Sequence, residues 1–264
     1  MSIYESSKCT SCMACYNACT RNCIKMNYNS SNSLEPCINE NVCAHCDLCL
    51  RLCPENSPIE REKSLEAYAC WNLDDLERTS SSSGGIASIF YSHFIKNKIG
   101  TAYGCSYDEN LQLKFSKADT LEELPKFKTS KYTQSYVGDI FQEVLYDLRK
   151  DKFVVFVGTP CQVAGLKKFL RKDFDKLLTI DLICHGIVSQ KYLDDYISEL
   201  KLPQKPNKLT FRGEYNYYFN LYKDDKIIFS EKSEDNLFFK AFLDGLFYRE
   251  NCYTCPYASI QRVR

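Results

Sequence analysis

No apolar run among the 264 residues approaches the roughly 20 needed to cross a bilayer, so a membrane span is excluded. The opening MSIYESSKCTSC has no basic segment ahead of an apolar core, which excludes a secretory leader and sets the expectation of a cytoplasmic protein. Neither sign of charge dominates: Lys and Arg number 34, and so do Asp and Glu. Net charge therefore gives no reason to expect nucleic acid or an anionic membrane as partner. The locally basic KKFLRKDFDK, residues 167–176, reads as the solvated face of a helix. Histidine is scarce, with His45, His93 and His185 the only three. His45 falls inside a cysteine run and His93 on an expected helix, and neither has a neighbour that points to catalysis.

What the chain has in excess is cysteine, 16 residues, most of them in the first 53. In a reducing compartment, clustered thiols bind metal more often than they form disulfides. The first run is Cys9-x2-Cys12-x2-Cys15-x3-Cys19, and the second is Cys43-x2-Cys46-x2-Cys49-x3-Cys53-Pro54. Both have the bacterial ferredoxin spacing, in which three close thiolates hold one 4Fe-4S cube and the fourth ligates the other. Three thiolates on a short loop wrap three corners of a cube, and the last corner needs a ligand from elsewhere. On that logic Cys9, Cys12, Cys15 and Cys53 form one set, and Cys43, Cys46, Cys49 and Cys19 the other. Zinc is the competing reading of paired Cys-x2-Cys units, and two complete interleaved runs argue against it. Thr20 stands where the motif usually has proline, which alters the turn and not the ligands. Cys23 and Cys37 lie off the pattern and are expected to be small apolar filler.

Residues 54–82 read as a polar, irregular connection. SSSSGG, residues 80–85, is either a flexible linker or a glycine pair that lets backbone approach a phosphate at a helix start. A helix is expected from residue 86, then a hairpin turning at Asp108-Glu109-Asn110. Residues 138–149 read as helix, 153–157 as strand, 161–172 as helix, 177–183 as strand and 189–200 as helix. That order implies neighbouring parallel strands with ligands at their carboxyl ends. Antiparallel strands around a Lys-Asp-Asp turn (210–230) and a helix over 235–250 complete the pattern. The alternating aromatics of 210–230 are read as packing.

Cys161 follows the first parallel strand and Cys184 the second, and NCYTCPYA brings Cys252 and Cys255. Four thiolates suffice for a third cube, and on spacing alone a zinc site stays open. SSGGIASIF, SKYTQS, GTPCQVAGLKKFL, DLICHGIVS and NCYTCPYA, in that order, resemble the coenzyme F-420 hydrogenase/dehydrogenase beta-subunit family over about 80–264.

The resemblance implies an α+β chain: a small dicluster ferredoxin-like domain (1–62), then an α/β flavin- and iron–sulfur-binding domain with a mixed sheet (63–264). It implies FAD beside one cube held by Cys161, Cys184, Cys252 and Cys255, hence three 4Fe-4S clusters in all. Ser83, Gly84, Gly85, Lys131, Tyr132, Gln134, Ser135, Gly158, Thr159 and Pro160 would border the flavin. His185, next to a proposed ligand, would donate a hydrogen bond or proton there. The family continues past the arginine at 264 with a further strand and loop, so the domain is expected to be incomplete at its C-terminus. Cys70 and Cys105 remain as expected core filler.

The function implied is an oxidoreductase that passes electrons between a protein donor or acceptor and a flavin acting on a small organic molecule. Family members act on deazaflavin coenzyme or tetrapyrrole pigments, or occur with surface-polysaccharide synthesis. The alternative is a non-catalytic electron-transfer subunit, and a structural zinc protein is the third reading.

Overall fold

The computed structural model describes residues 3, 8–96, 100–212 and 216–263. Its first part holds α1 (Ala14–Ala18), the hairpin β1 (Ile24–Tyr28) and β2 (Leu34–Ile38), and α2 (Leu48–Arg51). After β3 (Arg61–Lys63) and α3 (Asp75–Thr79) comes α4 (Ile86–Lys96), then β4 (Gly100–Tyr107) and β5 (Leu113–Ala118). A 3-10 helix spans Leu121–Phe127. The expected alternation follows as α5 (Ile140–Arg149), β6 (Phe153–Gly158), α6 (Pro160–Leu170), β7 (Leu177–Asp181) and α7 (Gln190–Glu199). The chain ends in β8 (Lys208–Thr210), β9 (Tyr218–Lys223), β10 (Lys226–Lys232), α8 (Leu237–Leu243), α9 (Glu250–Tyr253) and β11 (Gln261–Val263).

The main sheet is mixed, in the order β5-β4-β6-β7, with β4, β6 and β7 parallel and β5 antiparallel to β4. FVVFV becomes its inner strand because Val154, Val155, Phe156 and Val157 are apolar on both faces, as a two-sided parallel strand requires. On one face Tyr91 and Ile95 of α4 and Leu124 meet Val155 and Val157. On the other, Phe141, Val144 and Leu148 of α5 and Val163, Leu166 and Leu170 of α6 meet Val154 and Phe156. Burying each such side chain is worth about 1.5–3 kcal/mol. Cys12, Met13 and Ala14 belong to this same core, so the first cysteine loop is packed into the larger unit.

A second, aromatic core lies between the β8–β10 sheet and helices α7 and α8, where Phe211, Phe219, Phe239 and Phe242 are buried. The aromatics of this region therefore pack, as the alternation suggested.

Four local expectations are corrected. The helix expected over 235–250 stops at Leu243, because Gly245 takes a left-handed φ of 69° that ends it, and α9 starts only at Glu250. Cys37 and Cys70 are exposed, so neither fills a core: Cys37 sits on the two-stranded β1–β2 ribbon and Cys70 in the open connection. The connection 54–82 is not wholly irregular, since β3 pairs antiparallel with β11 from the other end of the chain. Last, β7 ends at Asp181, which leaves Cys184 in the loop beyond the strand.

Candidate metal and cofactor site

The two ferredoxin-type loops repeat one backbone design. Ser11 and Met13 have φ of 51° and 62°, and His45 and Asp47, at the matching positions, have 50° and 57°. Left-handed residues other than glycine cost of order 1–3 kcal/mol each, and such strain collects at ligand sites. Here it turns backbone amides onto sulfur: the Ser11 N–H donates to Cys9 Sγ and the His45 N–H to Cys43 Sγ, both at 3.4 Å. A short helix follows each loop, α1 or α2.

Cys9, Cys12, Cys15 and Cys53 line one pocket, together with Ile3, Met13, Met26 and Pro36. Three thiols of the first run thus meet the last of the second. Cys19, Cys43 and Cys49 pack about Cys23 and Ile24, while Cys46 is exposed. Cys23 is buried, as a filler should be, and its sulfur lies 3.2 Å from that of Cys19. Burial pushes the Cys12 thiol up to about 12 and Cys15 well above the ordinary value. The donor set suits iron–sulfur ligation: soft thiols, apolar walls and amides aimed at sulfur. Metal loading would displace their protons. One arrangement was not foreseen: donor atoms of Glu40, Cys43 and His45 all lie within 4.8 Å of one another.

At the sheet edge, α6 begins with Pro160 in its first turn, and Gln162 Oε1 accepts from the Thr159 N–H at 3.0 Å. Cys161 follows directly, with its sulfur 3.2 Å from the Thr159 hydroxyl. Parallel pairing sets Gly158 opposite Asp181, so the loop carrying Cys184 leaves beside the turn carrying Cys161. Electrostatically, Cys161 feels Cys184 and Cys12, and Cys184 feels Cys252 and Cys255. The Cys184 thiol is pushed up to about 11, first by burial, although the residue as a whole is exposed. Arg262 donates to the Leu182 carbonyl at 2.8 Å and pairs with Asp181 at 2.7 Å, which ties β11 to the same edge.

The link between the two thiol sets is a glycine. A Cβ on Gly165 would sit 2.8 Å from Cys12 Cβ and 2.9 Å from its sulfur. Glycine inside a helix costs about 1 kcal/mol against alanine, and here it lets Cys12 lie against α6. Cys161 and Gly165 are four residues apart, hence on one helix face and about 6 Å apart along the axis.

The segments expected to border a flavin converge. The Ser130 N–H donates to Ser82 Oγ, and Arg212 donates to the Ser82 carbonyl, both at 2.6 Å. The Gln134 N–H donates to Val188 O at 2.8 Å, and Gln162 Nε2 donates to Ser135 Oγ at 2.8 Å. Many of the polar groups are nevertheless used internally. Lys131 Nζ donates to the carbonyls of Phe127, Lys128 and Thr129, and burial pushes its ammonium down. Tyr132 packs on Phe211, Phe239 and Phe242. Gly84 is close-packed on its own chain, where a Cβ would lie 2.6 Å from the Cys70 carbonyl oxygen. Residues 80–85 are therefore not a loose linker, and exposed Ser83 is the free polar side chain of the glycine turn. His185 is exposed, its ring edge-on to Phe242 and Tyr248 at 5.8 and 5.9 Å.

Sequence reasoning missed Arg249, Gln162 and Gly165. Arg249 is 5% exposed and donates to the carbonyls of Cys9 and Thr10 and to Gln134 Oε1. Its only signal was an arginine three residues ahead of Cys252.

Residues 151–262 match the family model for the C terminus of the Coenzyme F420 hydrogenase/dehydrogenase beta subunit. Residues 8–57 match the 4Fe-4S dicluster domain. No curated protein matches the chain. Among solved structures, a chain of the F420-reducing NiFe hydrogenase complex from Methanosarcina barkeri is 18% identical, with a TM-score of 0.48. The match covers 74% of this chain and 66% of that one, just under two thirds of its length. No helix among the described residues is long and apolar enough to cross a membrane.

Proposed function

The chain belongs, through residues 151–262, to the coenzyme F420 hydrogenase/dehydrogenase beta-subunit family, and with the dicluster domain ahead of it we propose an iron–sulfur flavoprotein oxidoreductase carrying three cubes and FAD. Bound, the cubes carry single electrons and the flavin exchanges them for the two-electron chemistry of an organic substrate. The first set is Cys9, Cys12, Cys15 and Cys53, the second Cys19, Cys43, Cys46 and Cys49, the third Cys161, Cys184, Cys252 and Cys255. The observation that carries the reading is Cys12 seated on Gly165, one helical turn from Cys161. It sets the first and third sets side by side, while the exposed Cys46 loop faces outward toward a protein donor or acceptor. Units 1–62 and 63–264 would then divide the work: electron exchange with the partner in one, flavin and substrate in the other.

In the second unit, Ser83 and the backbone of 83–85 offer hydrogen bonds to the flavin, and the Thr159–Pro160 turn places Cys161 beside it. His185, exposed after Cys184, holds or releases a proton at its imidazole. The internal use of Lys131 and Gln134 favours a second reading, an electron-transfer subunit without a substrate of its own. Purification without oxygen tests both. About twelve iron atoms per chain and bound flavin are expected, and turnover on a deazaflavin or on intermediates of surface-polysaccharide synthesis separates enzyme from subunit. Three cubes without flavin support the second reading. Stoichiometric zinc with little iron overturns both.

A further inference from the structure

Arg249 is a buried cation with no carboxylate within ion-pair distance among the described residues. Its Nη1 donates to the Thr10 carbonyl at 2.6 Å and to Gln134 Oε1 at 2.7 Å, its Nη2 donates to the Cys9 carbonyl, and its buried Nε has no partner. Carbonyls solvate a guanidinium but do not neutralise it, and an uncompensated charge in a protein interior is costly. The residue sits in a run that reaches every element of the junction. Its N–H donates to Ile187 O, and its carbonyl accepts from the Cys252 N–H at 2.9 Å. Cys161 and Cys252 both feel its charge. A cube held by four thiolates is a net anion and gains another negative charge on reduction, and nearby charge and hydrogen bonding set its potential.

We propose that Arg249 is a positioning and charge-tuning residue shared by the first and third cysteine sets, holding the Cys9–Thr10 loop against Gln134 and stabilising both cubes in their reduced form. The assignment rests on the cluster reading above. It gives the outward second cube no such help, so electrons arriving there run downhill to the inner pair.

The test is a potentiometric titration followed by electron paramagnetic resonance on the iron-loaded full chain, with iron counted first. Arg249→Gln removes the charge, Arg249→Lys keeps it without the fork, and Gln134→Glu neutralises it in place. In Arg249→Gln and Gln134→Glu, reduction of the first and third cubes becomes harder by about tenfold, which is about 59 mV for a one-electron couple. The second cube stays where it was, and Arg249→Lys recovers part of the shift. Should the Arg249 variants not fold, Gln134→Glu decides. Unchanged midpoints, or one common shift of all three cubes, overturn the proposal. If the parent chain carries only about eight irons, the third-site reading fails by itself. Arg249 is then judged on the first cube against the second by the same criterion.

Discussion

The two cysteine loops share a spacing, a left-handed backbone pattern and an amide-to-sulfur hydrogen bond, yet they live in opposite surroundings. Ser11, Met13 and Ala14 of the first are 2%, 1% and 0% exposed. Residues 44–47 of the second are all exposed. The first loop is wedged between α6 and Arg249, and the second faces solvent. Identical local chemistry has been given two jobs by what was packed against it. A buried loop keeps its cube dry and close to the next acceptor, whereas an exposed one can meet another protein.

The largest expected effect follows from that split. Cys46→Ser should abolish most electron delivery by a protein donor, while flavin reduction by a small-molecule reductant and flavin content stay near the parent's. Equal activity with the protein donor would mean the outward loop is not the entry point. Next comes a pairwise test of burial in the metal-free chain, read by urea unfolding. Cys12→Ser puts a hydroxyl in an apolar site and should cost about 1–3 kcal/mol, and Cys46→Ser should fall within about 0.5 kcal/mol of the parent. Matching losses would erase the contrast between the loops. Gly165→Ala sharpens it further: the added methyl meets Cys12 in a packed core, at about 1–3 kcal/mol for overpacking. The signal of the first cube should change in that variant and the second should not. The smallest effect is in pH. The Cys12 thiol is held up to about 12 by burial, so its contribution is present below the unfolded value and is lost as pH rises toward the folded one. The metal-free chain should lose about 1 kcal/mol from this residue between pH 8 and 9.5, and Cys12→Ser should flatten that slope.

How far the sequence reading reached depended on how local each signal was. FVVFV announced an inner parallel strand because only a strand covered on both faces tolerates five apolar residues in a row. Its partner LLTID and the helix starting at Pro160 followed from order alone, and the observed bounds differ by a residue or two. The helix over 235–250 failed where one glycine took a left-handed turn inside a convincing apolar pattern. Cys37 and Cys70 failed because their burial depended on distant packing, about which a lone cysteine carries no signal. Of the candidate site, the cysteine runs were legible and Arg249 was not.

By itself the sequence determined the two ligand runs, the alternating βαβ core and the four later cysteines, since each is written in spacings of two to five residues that backbone geometry enforces. Only the tertiary structure decided which loop is buried, that Gly165 admits Cys12, and that Arg249 reaches Thr10 across a separation of 239 residues. Those choices come from shape and desolvation between segments far apart in the chain. Such contacts leave no period to read.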